Sequence, residues 1–173
     1  YTAGESSIII GVNGDIDAEQ GGVSLEATNG DIVVTEKVHA VTGLKAATKG
    51  QGGISFGTDV EVSGDIGLTT DTGDIEIGRQ VRSTGGNITA TVNKAGDIKV
   101  GYTGSGSATQ ADGMVVDTVS AGQDVSLKTG LGKVLIEGGT ASKSGDISIA
   151  AASGVYTAGE SSIIIGVNGD IDA

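Results

Sequence analysis

Asp15, Asp31, Asp74, Asp97, Asp124 and Asp146 each stand immediately before an Ile or Val, and all but Asp124 follow a glycine. A carboxylate repeated in one context is a candidate ligand row. Stacked at the ~4.8 Å spacing of neighbouring strands, two such carboxylates repel by roughly 1 kcal/mol in water. A hard divalent cation relieves that repulsion, and Ca2+ takes about six to eight oxygen ligands of this kind. The six aspartates are therefore calcium candidates. The competing reading is local, because Asp also accepts backbone N–H bonds at turns. The local reading is preferred, since the Ca2+-binding nonapeptide beginning Gly-Gly-x-Gly-x-Asp does not occur in the chain. No metal or cofactor is firmly expected.

Other residue types offer less. Solenoid enzymes that cleave polysaccharides need clustered acids and bases beside aromatic platforms. Here the one histidine, His39, reads as a solvent-facing strand residue, and Phe56, two residues after Ile54, reads as core. Tyr102 lies in the stretch GYTGSGSATQAD, which looks like an extra loop, and is the candidate for contact with a receptor or glycan. No Gly-Lys-Ser/Thr follows a glycine-rich stretch, so no phosphate loop is expected. Thr89-Ala90-Thr91 is an isolated instance of the Thr-x-Thr pattern of an ice-binding face. No catalytic residue is assigned, and an enzyme is not expected.

Composition narrows the classes further. A formal charge of −12 provides no electrostatic route to nucleic acid or to an anionic membrane surface. No apolar run approaches the ~20 residues of a membrane-spanning helix. The absence of Cys rules out a disulfide framework and a thiolate metal site, and suits a chain exported as an unfolded thread. Glycine makes up 32 of 173 residues without the every-third-residue period of collagen.

The elements that must carry these residues are short and repeated. One series of glycine-led units places its apolar residue at Ile16, Ile32, Ile54, Ile75, Ile98, Val125, Ile147 and Ile171. A second runs through Val23, Leu44, Ile66, Ile88, Met114, Val134 and Val155. A third set of short runs surrounds Val38, Val60 and Val81. Runs such as Ile75-Glu76-Ile77 alternate apolar and polar residues, the signature of a half-buried strand. Three short strands and three corners in about 22 residues describe one coil of an all-β parallel β-helix, or β-solenoid. Both long series give about seven coils in 155 residues, an advance of about 34 Å at the strand spacing. Glycine turns the corners, and the absence of proline leaves nearly every N–H free to pair with the next coil. The coil register is hardest to place from residue 101 to 143.

The eighteen residues YTAGESSIIIGVNGDIDA occur twice, at Tyr1–Ala18 and again at Tyr156–Ala173. Residues 1–155 therefore read as one solenoid unit, and 156–173 as the start of an identical one. The glycine-led short strands, the abundance of Asp, Ser, Thr and Ala, the scarcity of aromatics and the lack of Cys resemble the shafts of filamentous-haemagglutinin-type exoproteins and other giant bacterial adhesins. That resemblance implies a structural segment of an extracellular or cell-surface filament or stalk, bacterial in origin. The expected partners are identical units end to end, in one giant chain or as a homopolymer, with lateral contacts between fibres. The alternative is an adhesin module whose loop 102–112 recognises a receptor or glycan. Neither nucleic-acid binding nor membrane insertion is expected.

Overall fold

A computed structural model of the chain describes residues 2–3, 7–103, 106–107, 117–136, 139–151, 163–165 and 171–172. It is a parallel β-solenoid with three sheets of seven strands each. Sheet I stacks Thr2–Ala3, Gly22–Thr28, Gly43–Gln51, Asp65–Thr72, Ile88–Ala95, Val125–Leu131 and Ile147–Ala151. Sheet II stacks Ile8–Ile10, Ile32–Val34, Ile54–Phe56, Ile75–Ile77, Ile98–Val100, Val134–Ile136 and Ile163–Ile165. Sheet III stacks Ile16–Ala18, Val38–Ala40, Val60–Val62, Val81–Ser83, Asp117–Ala121, Gly139–Ser142 and Ile171–Asp172. No helix occurs among the described residues, so none is long and apolar enough to cross a membrane.

Period-two alternation decides what each strand buries. In Ile32–Val34, Ile54–Phe56, Ile75–Ile77 and Ile98–Val100 the outer two residues are buried and the middle one is not. Parallel pairing in register then stacks like on like: Ile32, Ile54, Ile75, Ile98 and Val134 form one interior row. Val38, Val60, Val81 and Val119 form a second. Sheet I interdigitates large with small along Leu25, Ala46, Leu68, Ala90 and Leu127. Burying each Ile, Leu or Val contributes about 1.5–3 kcal/mol, which is how a chain with so few aromatics acquires a core. Phe56 is 1% exposed within it, as its spacing from Ile54 predicts.

Two points of the coil assignment are corrected. First, the glycine-led units do not form a single column. Ile16 and Ile171 lie in sheet III, Ile32, Ile54, Ile75 and Ile98 in sheet II, and Val125 and Ile147 in sheet I. Of the second series, Val23, Leu44, Ile66 and Ile88 do share sheet I, Val134 belongs to sheet II, and Met114 and Val155 lie outside the described residues. Second, the number of turns is six, not seven. Seven strands in sheet II make six steps from Ile8 to Ile163. The steps through Ile8, Ile32, Ile54, Ile75 and Ile98 are nearly even, but those from Ile98 to Val134 and from Val134 to Ile163 are much longer. The excess in those two steps amounts to about one coil, and counting motifs along the chain read it as one. Six turns advance about 29 Å rather than 34 Å.

Candidate functional site

The aspartates belong to corners, and the corners are built first by glycine. At the turn from sheet I to sheet II, Gly52, Gly73, Gly96 and Gly132 stack with positive φ. A Cβ on Gly73, whose φ is 121°, would lie 2.5 Å from the carbonyl oxygen of Gly52 in the preceding coil. Only glycine allows that conformation and that approach together. Buried hydroxyls brace the same corner from inside. Thr48 Oγ1 donates to the Gly52 carbonyl at 2.7 Å, Thr70 Oγ1 to Gly73 at 2.8 Å and Thr129 Oγ1 to Gly132 at 3.1 Å. At the turn from sheet III to sheet I, Ser83 and Ser142 act similarly. Each hydroxyl accepts from a backbone N–H three residues on, Gly86 or Gly145, at 2.9 Å.

The aspartate following the glycine then faces the next coil. Asp31 Oδ1 accepts the Gly53 N–H at 2.8 Å, Asp74 Oδ1 the Asp97 N–H at 2.8 Å, and Asp97 Oδ1 the Lys133 N–H at 2.8 Å. The turn from sheet III to sheet I repeats the device. Asp65 Oδ1 accepts the Asn87 N–H at 2.8 Å, Asn87 Oδ1 the Asp124 N–H at 3.0 Å, and Asp124 Oδ1 the Asp146 N–H at 2.9 Å. Each side chain replaces a ladder partner that the corner backbone lacks, and joins one coil to the next.

The six calcium candidates are thus divided among three corners. Asp31, Asp74 and Asp97 share one column, interrupted by Gly53; Asp124 and Asp146 share another; Asp15 stands exposed at a third, before Ile16–Ala18. Their assumed equivalence fails because one corner motif serves different corners. Among the described residues no group of three or more His, Cys, Asp or Glu is placed to hold a metal ion. Asp74 Oδ2 instead receives Lys99 Nζ at 2.6 Å, and Glu76 Oε1 receives the same ammonium at 2.9 Å. Partial burial pulls the Lys99 pKa down, but the two carboxylates together outweigh it and hold the ammonium well above its ordinary range.

Two ladder members, Asp65 and Asn87, escape a reading of the six-aspartate series. The signal for Asp65 is present, since Gly64-Asp65-Ile66 is the same motif, hidden by assigning Ile66 to the second series. The buried hydroxyl braces also have a signal, a Thr or Ser three or four residues before a corner glycine.

Outside the corners, charge pairs run from coil to coil. Lys49 pairs with Glu26, Lys37 with Glu61, Arg79 with Asp59 at 3.6 Å and Lys94 with Asp71 at 3.8 Å. The Lys49 hydrogen bond holds Glu26 below the usual carboxylate range, and the Lys37 hydrogen bond does the same for Glu61. Asp71 is lowered by the Asn93 side-chain amide and then by the Gly50 N–H. His39 lies on the outer face of Val38–Ala40, its Nδ1 2.8 Å from Asp17 Oδ1. Thr91 of the Thr-x-Thr segment has an aligned neighbour in Thr69, but Lys128 on its other side and Gly67 beside Thr89 break any regular threonine array.

Tyr102 begins a short antiparallel hairpin, Tyr102–Thr103 with Gly106–Ser107, unlike every other described strand pair. The rest of the expected contact loop, residues 104–105 and 108–112, lies outside the described residues.

The two copies of the eighteen-residue segment take matching places. Ile8–Ile10 and Ile163–Ile165 are the two end strands of sheet II, and Ile16–Ala18 and Ile171–Asp172 the two end strands of sheet III. The apolar rows thin at both ends. Ile10, Ile16, Ala18 and Val23 at one, and Ile147 and Ile149 at the other, are only partly buried. Comparison with known protein families, curated proteins and solved structures returns no match to this chain.

Proposed function

We propose that this chain is a structural segment of a long extracellular or cell-surface shaft, a filament or adhesin stalk of the filamentous-haemagglutinin kind, whose work is mechanical. One observation carries the reading. After six turns the repeated segment returns to the sheets it began in, so an identical unit begun at residue 156 continues one coaxial solenoid without a break in phase. Backbone pairing along the axis bears load, the aspartate corners tie each coil to the next, and the acidic exterior keeps shafts apart in solution. Lateral contact between shafts would fall where the outer face is uncharged: Ile9, Val33 and Leu135 occupy one outward row of sheet II, which carries Glu76 and Lys99 at mid-unit. Chains of two, four and eight tandem units test the proposal. They should lengthen by about 29 Å per unit in electron micrographs or small-angle scattering. Compact particles whose length does not follow unit number would end it.

A second reading, a receptor- or glycan-binding module, draws on the hairpin at Tyr102–Ser107, which leaves the parallel ladder. Glycan-array binding that depends on Tyr102 would favour it over the purely mechanical reading.

A further inference from the structure

We infer that two copies of this chain pair side by side, with their axes parallel, through the outer faces of sheet I. The pairing does not depend on units joining end to end. The face runs along the side of the solenoid, where neither a preceding nor a following unit would cover it.

Width singles out this face. From Gly22–Thr28 to Val125–Leu131 the strands of sheet I have seven to nine residues, whereas those of sheets II and III between Ile32 and Val100 have three. Six coils of about seven residues make a face of about 23 by 29 Å, so two such faces together cover about 1,300 Å², within the range of stable interfaces. A face three residues wide gives less than half of that.

The face also escapes the acidity that keeps copies apart. Its two central outward rows hold Glu26, Lys45 and Lys128, and otherwise only Ser, Ala, Gly and Thr. Ser24, Lys45, Thr89 and Lys128 are exposed on it. Long side chains never share a coil in these rows: Glu26 stands beside Ser24, Lys45 beside Ala47 and Lys128 beside Ser126. A two-fold axis parallel to the solenoid exchanges the two rows, so every long side chain meets a small one of the second copy. Thr69 of the second copy then faces Gly67, where a Cβ meets nothing within 4 Å and a shallow hollow opens beside Lys45. Lys45 comes to lie one coil from Glu26 of the second copy. A two-fold axis along the strands, between Gly67 and Thr89, also sets long against short. It brings Lys45 beside Lys128 of the second copy, however, and like charges oppose that arrangement.

Sedimentation of the full chain across concentration tests the pairing, with circular dichroism as the control for folding. The parent should pass from monomer to dimer below about a millimolar, and the dimer should be stouter than end-to-end joining gives. Gly67→Arg projects a long charged side chain into open space, so the fold persists while the hollow is blocked, and pairing should weaken at least about tenfold. Leu135→Asp, on the outward row of sheet II, should leave pairing unchanged. Lys128→Glu should leave a parallel pair about as strong, because residue 128 faces Ser126 of the second copy. The same variant would strengthen an antiparallel pair by setting a carboxylate beside Lys45, and that result would overturn the parallel arrangement. A parent that stays monomeric to about a millimolar, or a folded Gly67→Arg variant that pairs as the parent does, overturns the inference altogether. Tandem chains that lengthen with unit number without pairing remove the pair alone; tandem chains that pair without lengthening remove the shaft alone.

Discussion

Residues 22–100 and residues 101–165 are two stretches of one solenoid built to different tolerances. In the first, sheet II advances in nearly equal steps through Ile32, Ile54, Ile75 and Ile98, and corners differ by a residue or two. In the second, the steps from Ile98 to Val134 and on to Ile163 are both longer, the extra length entering between Val100 and Asp117 and between Ala151 and Ile163. Both insertions fall at corners, and the strands on either side resume the same sheets in the same order. The solenoid thus accepts length at a corner but holds strand pairing and interior rows constant. The physical reason is that loop-closure entropy rises slowly with length, whereas a residue missing from an interior row leaves a cavity.

Four measurements would break or sharpen that contrast. The largest effect is expected where a corner admits no extra atom. Gly73→Val places a branched side chain at φ 121° against the Gly52 carbonyl and should cost about 4 kcal/mol or more in urea unfolding. Gly67→Val, in the middle of a sheet I strand where a Cβ meets nothing within 4 Å, should instead stabilise by about 0.5 kcal/mol. Equal losses at both positions would remove the corner-column argument.

Next come the interior rows. Ile75→Ala, at a fully buried position of the regular stretch, should cost about 2–5 kcal/mol, and Ile147→Ala, only partly buried near the far end, about half as much or less. A reversed order would mean that the end coil, not the regular stretch, is the better-packed region.

A smaller effect is expected from acid. Glu26, Glu61 and Asp71 have folded pKa values below their ordinary 4.5 and 3.8, so their contribution is complete above those values and fades as pH falls through the lower folded ones. All three are well solvated, so the contribution is small and screened by salt. The variant Glu26→Gln/Glu61→Gln/Asp71→Asn should have a shallower loss of melting temperature below about pH 4.5 than the parent, and the difference should shrink in roughly molar salt. An unchanged acid limb would show that the coil-to-coil charge pairs contribute nothing.

The smallest change is expected from the insertion. Replacing residues 101–118 by the short corner Gly78-Arg79-Gln80 should shift unfolding by less than about 1 kcal/mol. Collapse of the fold on that replacement would contradict the view that corner length is free.

Much of this architecture is legible in the chain because it is local. Ile75-Glu76-Ile77 reads as a strand with two inward residues, and Gly73-Asp74 as the corner before it, and both readings hold in the structure. The assignment of coils is less legible for an instructive reason. Gly14-Asp15-Ile16, Gly30-Asp31-Ile32 and Gly145-Asp146-Ile147 look equivalent because each joins a turn to an apolar strand start, and at two of the three kinds of corner a side chain also accepts the next coil's N–H. They nevertheless belong to three different corners. The buried braces Thr48, Thr70 and Thr129 stand three or four residues before a corner glycine, but that spacing does not show which way a threonine inside a strand faces until the register is known.

Sequence alone determined the all-β class, the parallel coil and its approximate length, the corner chemistry and the verbatim repetition of Tyr1–Ala18, since each depends on neighbours a few positions apart or on identity of letters. Only the tertiary structure decided that one repeat unit makes six turns, that the aspartates cap successive coils from separate corners, and that both copies of the repeated segment return to the same two sheets. Those facts depend on which residues lie one coil apart, and two insertions of unequal length conceal that spacing until the strands are paired.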